Sequence, residues 1–199
     1  MAFSTSSQRL GLPPAPGGLC LLQEVVNTEA ILPYQVPDLL ADPVVAQRWL
    51  TQALRVWGEQ TGQPRVNLTV NRRDLVALRR LRADLRHWLR TGDMAALEVP
   101  VKAVSVGVTA GTPVYGPRGD GTAGLTALIG MELLLAVHAG TAERLRVCMN
   151  AECGAAFYDQ SRNGSRVWHD VKTCGNVVNL RASRARRKES AAHRDVTSE

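Results

Sequence analysis

Residues 146–176 read RVCMNAECGAAFYDQSRNGSRVWHDVKTCGN, a segment in which three cysteines and one histidine fall in two close pairs. The first pair is Cys148 and Cys153, and the second, after 15 intervening residues, is His169 and Cys174. One tight turn can present two donors, and the intervening loop brings the second pair back to complete a tetrahedron around zinc. All four positions are then filled by protein, so the spacing predicts one structural zinc ion per chain with no open position for a substrate.

Another interpretation of this spacing is that the cysteines are ordinary small buried residues and that His169 lies on the surface. The few large hydrophobic residues within 144–188 favour the metal, because they are too sparse to hold that segment by burial alone. The N-terminus has no apolar segment behind a positive one, as a secretory signal has, which predicts a cytoplasmic protein with reduced cysteines. Cys20 stands alone in an apolar run and is predicted to be a small buried residue.

The residues of this segment resemble the CGNR zinc-finger family. The resemblance rests on the cysteine pair, on DQSRNGSR at 159–166, on Trp168 and on Cys-Gly-Asn at 174–176. It extends more weakly over residues 18–140, through Asn27-Thr28 and the general layout. Proteins of that family carry the finger behind a mainly helical N-terminal domain, called ABATE, and are described as stress-induced transcription regulators. The resemblance therefore implies a DNA-binding regulator.

Two positions depart from the family pattern. The pattern has a cysteine after the tryptophan, where this chain has His169, a competent ligand that makes the site Cys3His. The signature ends in arginine, where this chain has Val177. If that arginine contacts DNA in relatives, the contact is lost here or has moved to Arg181 or Arg184.

Basic residues are concentrated beside the predicted metal site. The chain has 199 residues and a net charge of +6, but residues 161–188 hold eight basic residues and one acid, so +7 lies in that segment. An arginine-rich extension on a zinc-held scaffold suits the phosphate backbone of double-stranded DNA. The predicted contacts are Arg162, Asn163, Arg166, Lys172, Asn176, Arg181, Arg184, Arg186, Arg187 and Lys188.

Residues 176–188 contain no proline or glycine and are predicted to form a helix with Val177, Leu180 and Arg184 turned toward the finger. The alternative for the end of the basic run is a solvated tail. Asp159 and its neighbours are interpreted as a polar turn. Trp168 is interpreted as a residue that covers the zinc, with base stacking as the alternative.

Two helices are signalled upstream of the finger. Asp42-Pro43 predicts the start of one helix, which is expected to end before Gly62. Asn71 with Asp74 predicts the start of another, with apolar residues at spacings of three and four up to residue 89.

Three further segments complete the expected fold. Residues 99–118 predict one short β-hairpin, and residues 122–139 predict an almost entirely apolar core helix. Residues 18–26 form an apolar run that is either a strand or a buried helical turn. The fold class is therefore α+β: a mainly helical N-terminal domain with one hairpin, followed by a small zinc-stabilised C-terminal module.

We expect four regions along the chain: a flexible lead-in (1–17), an ABATE-like sensor or dimerisation domain (18–140), a CGNR-type zinc finger (141–188) and a mobile tail (189–199). The first functional hypothesis is a zinc-finger transcription regulator whose N-terminal domain binds a small-molecule effector or forms a homodimer. The predicted effector pocket lies near Trp49, Trp57 and Tyr115.

The second hypothesis makes the finger a structural or protein-interaction module, with an uncharacterised ligand-binding or enzymatic activity in the N-terminal domain. Val177 favours it. We expect no enzyme, since neither His87 nor His138 has a nucleophile or carboxylate at a catalytic spacing. The chain has no 18 uninterrupted apolar residues, which predicts no membrane span.

Overall fold

The computed structural model describes residues 4–95, 97 and 99–196, with side chains up to Arg187 except that of Pro33. Within these residues the protein is α+β, as predicted, with two separate antiparallel hairpins. The helices and strands are α1 (Leu19–Val26), α2 (Pro43–Thr61), α3 (Asp74–Thr91), β1 (Val104–Thr109), β2 (Thr112–Pro117), α4 (Gly121–His138), β3 (Leu145–Val147), β4 (Ala156–Tyr158) and α5 (Asn176–Val196).

Helix α2 begins and ends at the predicted signals. The Asp42 carboxylate accepts hydrogen bonds from the backbone N–H groups of Val44 and Val45 at 2.8 and 3.1 Å. These are donors that a helix leaves free in its first turn. Gly62 ends the helix at φ 69°, in the left-handed region that favours glycine.

The apolar run at residues 18–26 is a helix, α1, and all eight of its residues are buried. It is packed against α2, α3 and α4. With eight residues the run makes only about two helical turns, which is too short for the spacing of its apolar residues to distinguish a helix from a strand.

Helix α4 supplies the centre of the core, as the sequence predicts. Its Leu125, Leu128 and Ile129 are fully buried. Within the described residues it is the one helix long and apolar enough to cross a membrane by length and composition, and 56% of it is buried inside the protein. Burial of this extent is what the core helix of a folded domain shows.

The predicted hairpin is confirmed, and a second one is present. Strands β1 and β2 pair from Val104 opposite Pro117 to Thr109 opposite Thr112. The second hairpin pairs β3 with β4, with Leu145 opposite Tyr158. Its strands have three residues each, too few for an alternating pattern to be visible in the sequence.

The N-terminal segment differs from the flexible lead-in predicted for residues 1–17. The backbone N–H groups of Ser6 and Ser7 donate to the Glu24 carboxylate at 2.8 and 3.0 Å, and all three residues are buried. The composition of the segment does not reveal this contact, because the partner lies 17 or 18 residues along the chain. Residues 1–3 lie outside the described residues.

The hairpin of the C-terminal segment is docked on the N-terminal part of the chain. Leu145 and Val147 of β3 and Ala156 of β4 join the main core. The Asn27 side chain pairs with both backbone groups of Ala156. Its Oδ1 accepts from the N–H at 2.7 Å, and its Nδ2 donates to the carbonyl at 3.0 Å. The segment 141–188 is therefore held by packing as well as by any metal.

The backbone of residues 189–196, predicted as part of a mobile tail, continues α5. Residues 197–199 lie outside the described part of the chain.

Candidate metal centre and basic surface

The first cysteine pair lies in the tight turn between β3 and β4. The N–H of Cys148 donates to the Ala155 carbonyl at 2.9 Å, and the N–H groups of Cys153 and Gly154 donate to the Asn150 carbonyl at 2.9 and 3.1 Å. Gly154 has φ 60°, which a residue with a side chain adopts only with strain. The turn brings both thiols to one point.

The second pair is positioned by the wide helical turn Val171–Gly175, which leads into α5. The Asp170 carboxylate caps this turn, accepting from the N–H of Lys172 at 2.6 Å, and the Asp170 carbonyl accepts from the N–H of Cys174 at 3.0 Å. Nδ1 of His169 lies 3.5 Å from Sγ of Cys153 and 3.6 Å from Sγ of Cys174.

The donor atoms of Cys148, Cys153, His169 and Cys174 lie within 4.8 Å of one another. Zinc bonds of about 2.3 Å to sulfur and about 2.0 Å to nitrogen place the donors of a tetrahedron about 3.5 to 3.8 Å apart. The three cysteines are buried and form no disulfide. The cluster is consistent with one structural zinc ion, as predicted from the spacing.

The electrostatics of the cluster also favour a cation. The pKa of Cys148 is lowered to about 4 because the thiol of Cys153 and the ring of His169 donate hydrogen bonds to its sulfur. The pKa of Cys153 is raised because it is the donor in that pair and because it is buried. The pair Cys148 and Cys153 therefore holds one thiolate readily and resists a second, and a bound zinc ion would supply the positive charge that stabilises both.

A residue from the N-terminal part, Tyr34, reaches this site and was missed by sequence reasoning. Its hydroxyl lies 3.2 Å from Sγ of Cys174, and its ring meets the His169 ring edge-on at 6.0 Å between centroids. Leu12 and Ile31 complete an apolar cluster around the cysteines. No local pattern marks Tyr34, which is 140 residues from Cys174 in sequence.

Polar groups of the loop between the ligand pairs support the site. The Asp159 carboxylate accepts from the N–H groups of Ser161 and Arg166, both at 2.8 Å, which is the predicted polar turn. Trp168 packs against the cysteine cluster, and a Cβ on Gly175 would lie 3.0 Å from its ring. This packing agrees with the interpretation of Trp168 as a residue that covers the metal.

Arg166 and Arg181, which are predicted DNA contacts, make defined contacts within the protein. Arg166 is half-buried, donates to the His169 carbonyl at 2.5 Å, and lies 5.5 Å from the centre of the Phe157 ring. Arg181 is exposed and forms an ion pair with Glu152 at 2.9 Å. Arg166 therefore supports the metal site, and Arg181 ties α5 to the turn that carries Cys153.

The other predicted contacts whose side chains are described are exposed: Arg162, Asn163, Lys172, Asn176, Arg184, Arg186 and Arg187. The side chain of Lys188 lies outside the described part.

The orientation predicted for α5 is wrong. Val177 and Leu180 are 38% and 52% exposed instead of facing the finger, and Arg184 is exposed beside them. The apolar surface around the cysteines is already covered by Trp168 and by the N-terminal residues, which leaves little for α5 to bury. Because Val177, Leu180, Arg184 and Arg187 recur at spacings of three and four, they lie on one open face of the helix.

The residues predicted to line an effector pocket belong mainly to the core. Trp49 and Trp57 are fully buried, and their indole N–H groups donate to the Glu24 and Glu132 carboxylates at 3.3 and 2.5 Å. Packing separates both indoles from solvent. Tyr115 is only half-buried, and it contributes to a surface cavity.

Comparison with known protein families identifies the C-terminal segment that holds the metal-ligand candidates. Residues 144–187 match the family model of the CGNR zinc finger, a span that includes all four metal-ligand candidates. No curated protein matches the chain. The chain therefore carries a CGNR zinc finger at residues 144–187, with a Cys3His cluster that fits one structural zinc ion.

Proposed function

We propose that this protein is a cytoplasmic, non-enzymatic transcription regulator whose zinc finger binds the phosphate backbone of double-stranded DNA. The observation that supports the proposal most directly is the group of exposed basic side chains on the finger and on α5. The segment 161–188 carries +7, whereas the rest of the chain carries a net charge of −1. Cationic side chains on a scaffold held by a metal can neutralise phosphates without a large entropy cost.

The basic surface extends beyond the finger to α3. A Cβ on Gly154 would lie 2.6 Å from an Nη atom of Arg86 and 3.3 Å from one of Arg90, so both guanidinium groups adjoin the turn that carries Cys153. Arg86 is paired with Glu29 at 2.6 Å. The charge of Arg86 is therefore balanced by Glu29, and the exposed Arg90 is the residue from which a duplex that follows the finger would meet further positive charge.

Exposed amides supply the means for reading base edges. Asn163 and Asn176 both lie on the surface of the finger, and asparagine can make a bidentate contact with adenine in the major groove. In this proposal the arginines set affinity and the asparagines contribute to sequence preference.

A second function, protein interaction through the finger, is favoured by a different observation. Apolar side chains that are 38% to 65% exposed accompany the basic ones on the finger: Met149, Val167, Val171, Val177 and Leu180. Such a grouping is typical of a surface that meets another protein or a second copy of the chain.

The deciding experiment measures the affinity of zinc-loaded protein for duplex DNA as a function of salt concentration. Replacement of Arg184 and Arg187 by alanine should flatten the slope of log K against log salt by about 2, since each phosphate contact contributes about 0.9. The matched control replaces Arg72 and Arg73, two exposed arginines immediately before α3, and should leave the slope unchanged.

Absence of DNA binding at low salt would overturn the proposal. The protein-interaction function then predicts that Leu180→Asp abolishes self-association or partner capture, measured by sedimentation of the same zinc-loaded protein.

A further inference from the structure

The core contains two buried carboxylates that each accept a hydrogen bond from a tryptophan. Glu24 is paired with Trp49, and its two oxygens also accept from the N–H and hydroxyl of Ser6 and from the N–H of Ser7, at 2.6 to 3.0 Å. Both oxygens of Glu24 are therefore satisfied by the protein itself, which is the usual condition for a buried carboxylate.

Glu132 on α4 differs from Glu24 in this respect. Its Oε1 accepts from the Trp57 indole at 2.5 Å and from the Tyr115 hydroxyl at 2.7 Å. Its Oε2 accepts no hydrogen bond from the described residues, and no lysine, arginine or histidine among them forms an ion pair with it. Glu132 is only 3% exposed, and burial raises its pKa. Oε2 is not fully enclosed by the protein, so a ligand can reach it. A cation there would offset the charge of a carboxylate that has no other charged partner.

The Glu132 oxygen that receives no donor from the described residues, Oε2, lies at a cavity. A Cβ on Gly18 would be 1.7 Å from Oε2 of Glu132, so the carboxylate occupies space that only a glycine leaves open. Gly18 and Glu132 both line a surface cavity of about 350 Å³. Leu135 and Ala136 contribute apolar walls, and Glu132 is the only charged side chain among the described residues that line it.

We propose that this cavity binds a small organic ammonium ion, which donates an N–H hydrogen bond to Oε2 of Glu132 and packs its apolar part against Leu135 and Ala136. The role of such a ligand as a regulatory input rests on the proposed function, whereas its binding does not.

The lining explains why an ammonium ion is preferred over other ligands. An anion would meet an uncompensated carboxylate. A divalent cation such as calcium takes six to eight oxygen ligands that usually include several carboxylates, and this lining supplies one carboxylate beside the neutral oxygens of Gln60, Thr61, Tyr115 and Thr141. A neutral alcohol can donate a hydrogen bond to Oε2 but leaves the charge unpaired. The cavity volume is at the lower end of the range for small-molecule sites, about 300 to 1,000 Å³.

The position of the cavity relates it to the finger through α1. Gly18 precedes the first residue of this helix, and Asn27, which binds Ala156 of β4, follows its last residue. A helix of eight residues is about 12 Å long. A ligand at Glu132 therefore contacts one end of an element whose other end holds the finger.

The test titrates the zinc-loaded full chain with phenethylammonium chloride in the absence of DNA. The indole N–H signals in ¹H–¹⁵N spectra report binding. The Trp57 signal should shift and saturate, because its N–H is bonded to Glu132. The Trp49 signal, bonded to Glu24, is the internal reference and should remain in place. The isosteric neutral probe 2-phenylethanol should bind at least tenfold more weakly.

Two variants make the assignment specific to Glu132. Glu132→Gln keeps an acceptor for Trp57 and Tyr115 but removes the charge, and it should weaken phenethylammonium binding at least tenfold. Ala139→Leu narrows the cavity without changing Glu132 and should also weaken binding, so the test does not depend on the folding of one variant. The control Glu59→Gln, on the exposed face of α2, should bind as the wild type does.

Absence of a saturable Trp57 shift at tens of millimolar probe would overturn the proposal, as would equal affinity of Glu132→Gln and wild type. Since DNA is absent, either result is independent of the outcome of the DNA-binding experiment.

Discussion

Replacement of Asn27 by alanine tests whether the zinc finger is docked on α1 or held by its metal alone. Asn27 is 1% exposed, and its side chain makes three hydrogen bonds. Its Nδ2 donates to the Ala156 carbonyl at 3.0 Å and to the Ser7 hydroxyl at 3.1 Å, and its Oδ1 accepts from the Ala156 N–H at 2.7 Å. The alanine variant removes all three.

The expected loss in the free energy of unfolding depends on which hydrogen-bond partners the backbone of Ala156 keeps in Asn27→Ala. The Ala156 carbonyl keeps a donor, Gln23 Nε2 at 3.3 Å, but the Ala156 N–H loses its partner in a buried position. A net contribution of about 0.5 to 1.5 kcal/mol for each hydrogen bond, with the further cost of an unsatisfied buried N–H, gives a loss of about 2 to 4 kcal/mol in the free energy of unfolding.

Urea unfolding of zinc-saturated protein, followed by far-ultraviolet circular dichroism, measures this loss. Hydrogen exchange of the Ala156 amide provides a local readout, and a loss of about 2 kcal/mol corresponds to exchange about 30-fold faster. Asn67→Ala removes an exposed side chain of the same size and should stay within about 0.5 kcal/mol of wild type. A loss below about 1 kcal/mol with unchanged protection at Ala156 would refute the docking argument.

Two further predictions concern the metal and the dependence on pH. Tyr34→Phe removes the hydroxyl beside Cys174 and should lower zinc affinity about tenfold in competition with a chelator. The control Tyr158→Phe should leave zinc affinity unchanged. Equal zinc affinities of Tyr34→Phe and wild type would show that the hydroxyl does not support the site. Burial raises the pKa of Asp38, but hydrogen bonds from Arg82 and a backbone N–H outweigh burial and hold this pKa below its ordinary value. Asp38 forms an ion pair with Arg82 at 2.9 Å. This ion pair therefore stabilises the fold fully above the pKa of an unfolded aspartate, about 3.9, and the stabilisation is lost as pH falls through the lower pKa of the folded state. The difference in free energy of unfolding between wild type and Asp38→Asn should shrink between pH 6 and pH 3, and a constant difference would contradict this explanation.

Features set by neighbouring residues were predictable from the sequence. Asp42 and Gly62 specify the ends of α2 because capping needs one side chain and one backbone conformation close to the helix end. The orientation of α5 was not predictable in this way. Val177 and Leu180 have the spacing of a buried face, but whether that face is covered depends on how much apolar surface the rest of the finger leaves free.

The same distinction applies to the candidate effector site. The sequence singles out Trp57 and Tyr115 because they are aromatic. The feature that gives the cavity its chemistry is instead Oε2 of Glu132, because both protein donors bind the other oxygen. A single glutamate within an apolar helix does not reveal how many donors will reach it. That number is decided when α1, α2 and β2 pack around α4.

The sequence by itself determined the metal-ligand set, the α+β class, and the concentration of positive charge beside the metal. These follow from the identity and spacing of residues in one segment, because donors on tight turns converge wherever the rest of the chain lies. The tertiary structure alone decided that Tyr34 supports Cys174, that Asn27 docks the finger, and that Glu132 faces a cavity. Each of these depends on the relative position of groups that are distant in sequence. That relative position is fixed only when the helices pack against one another.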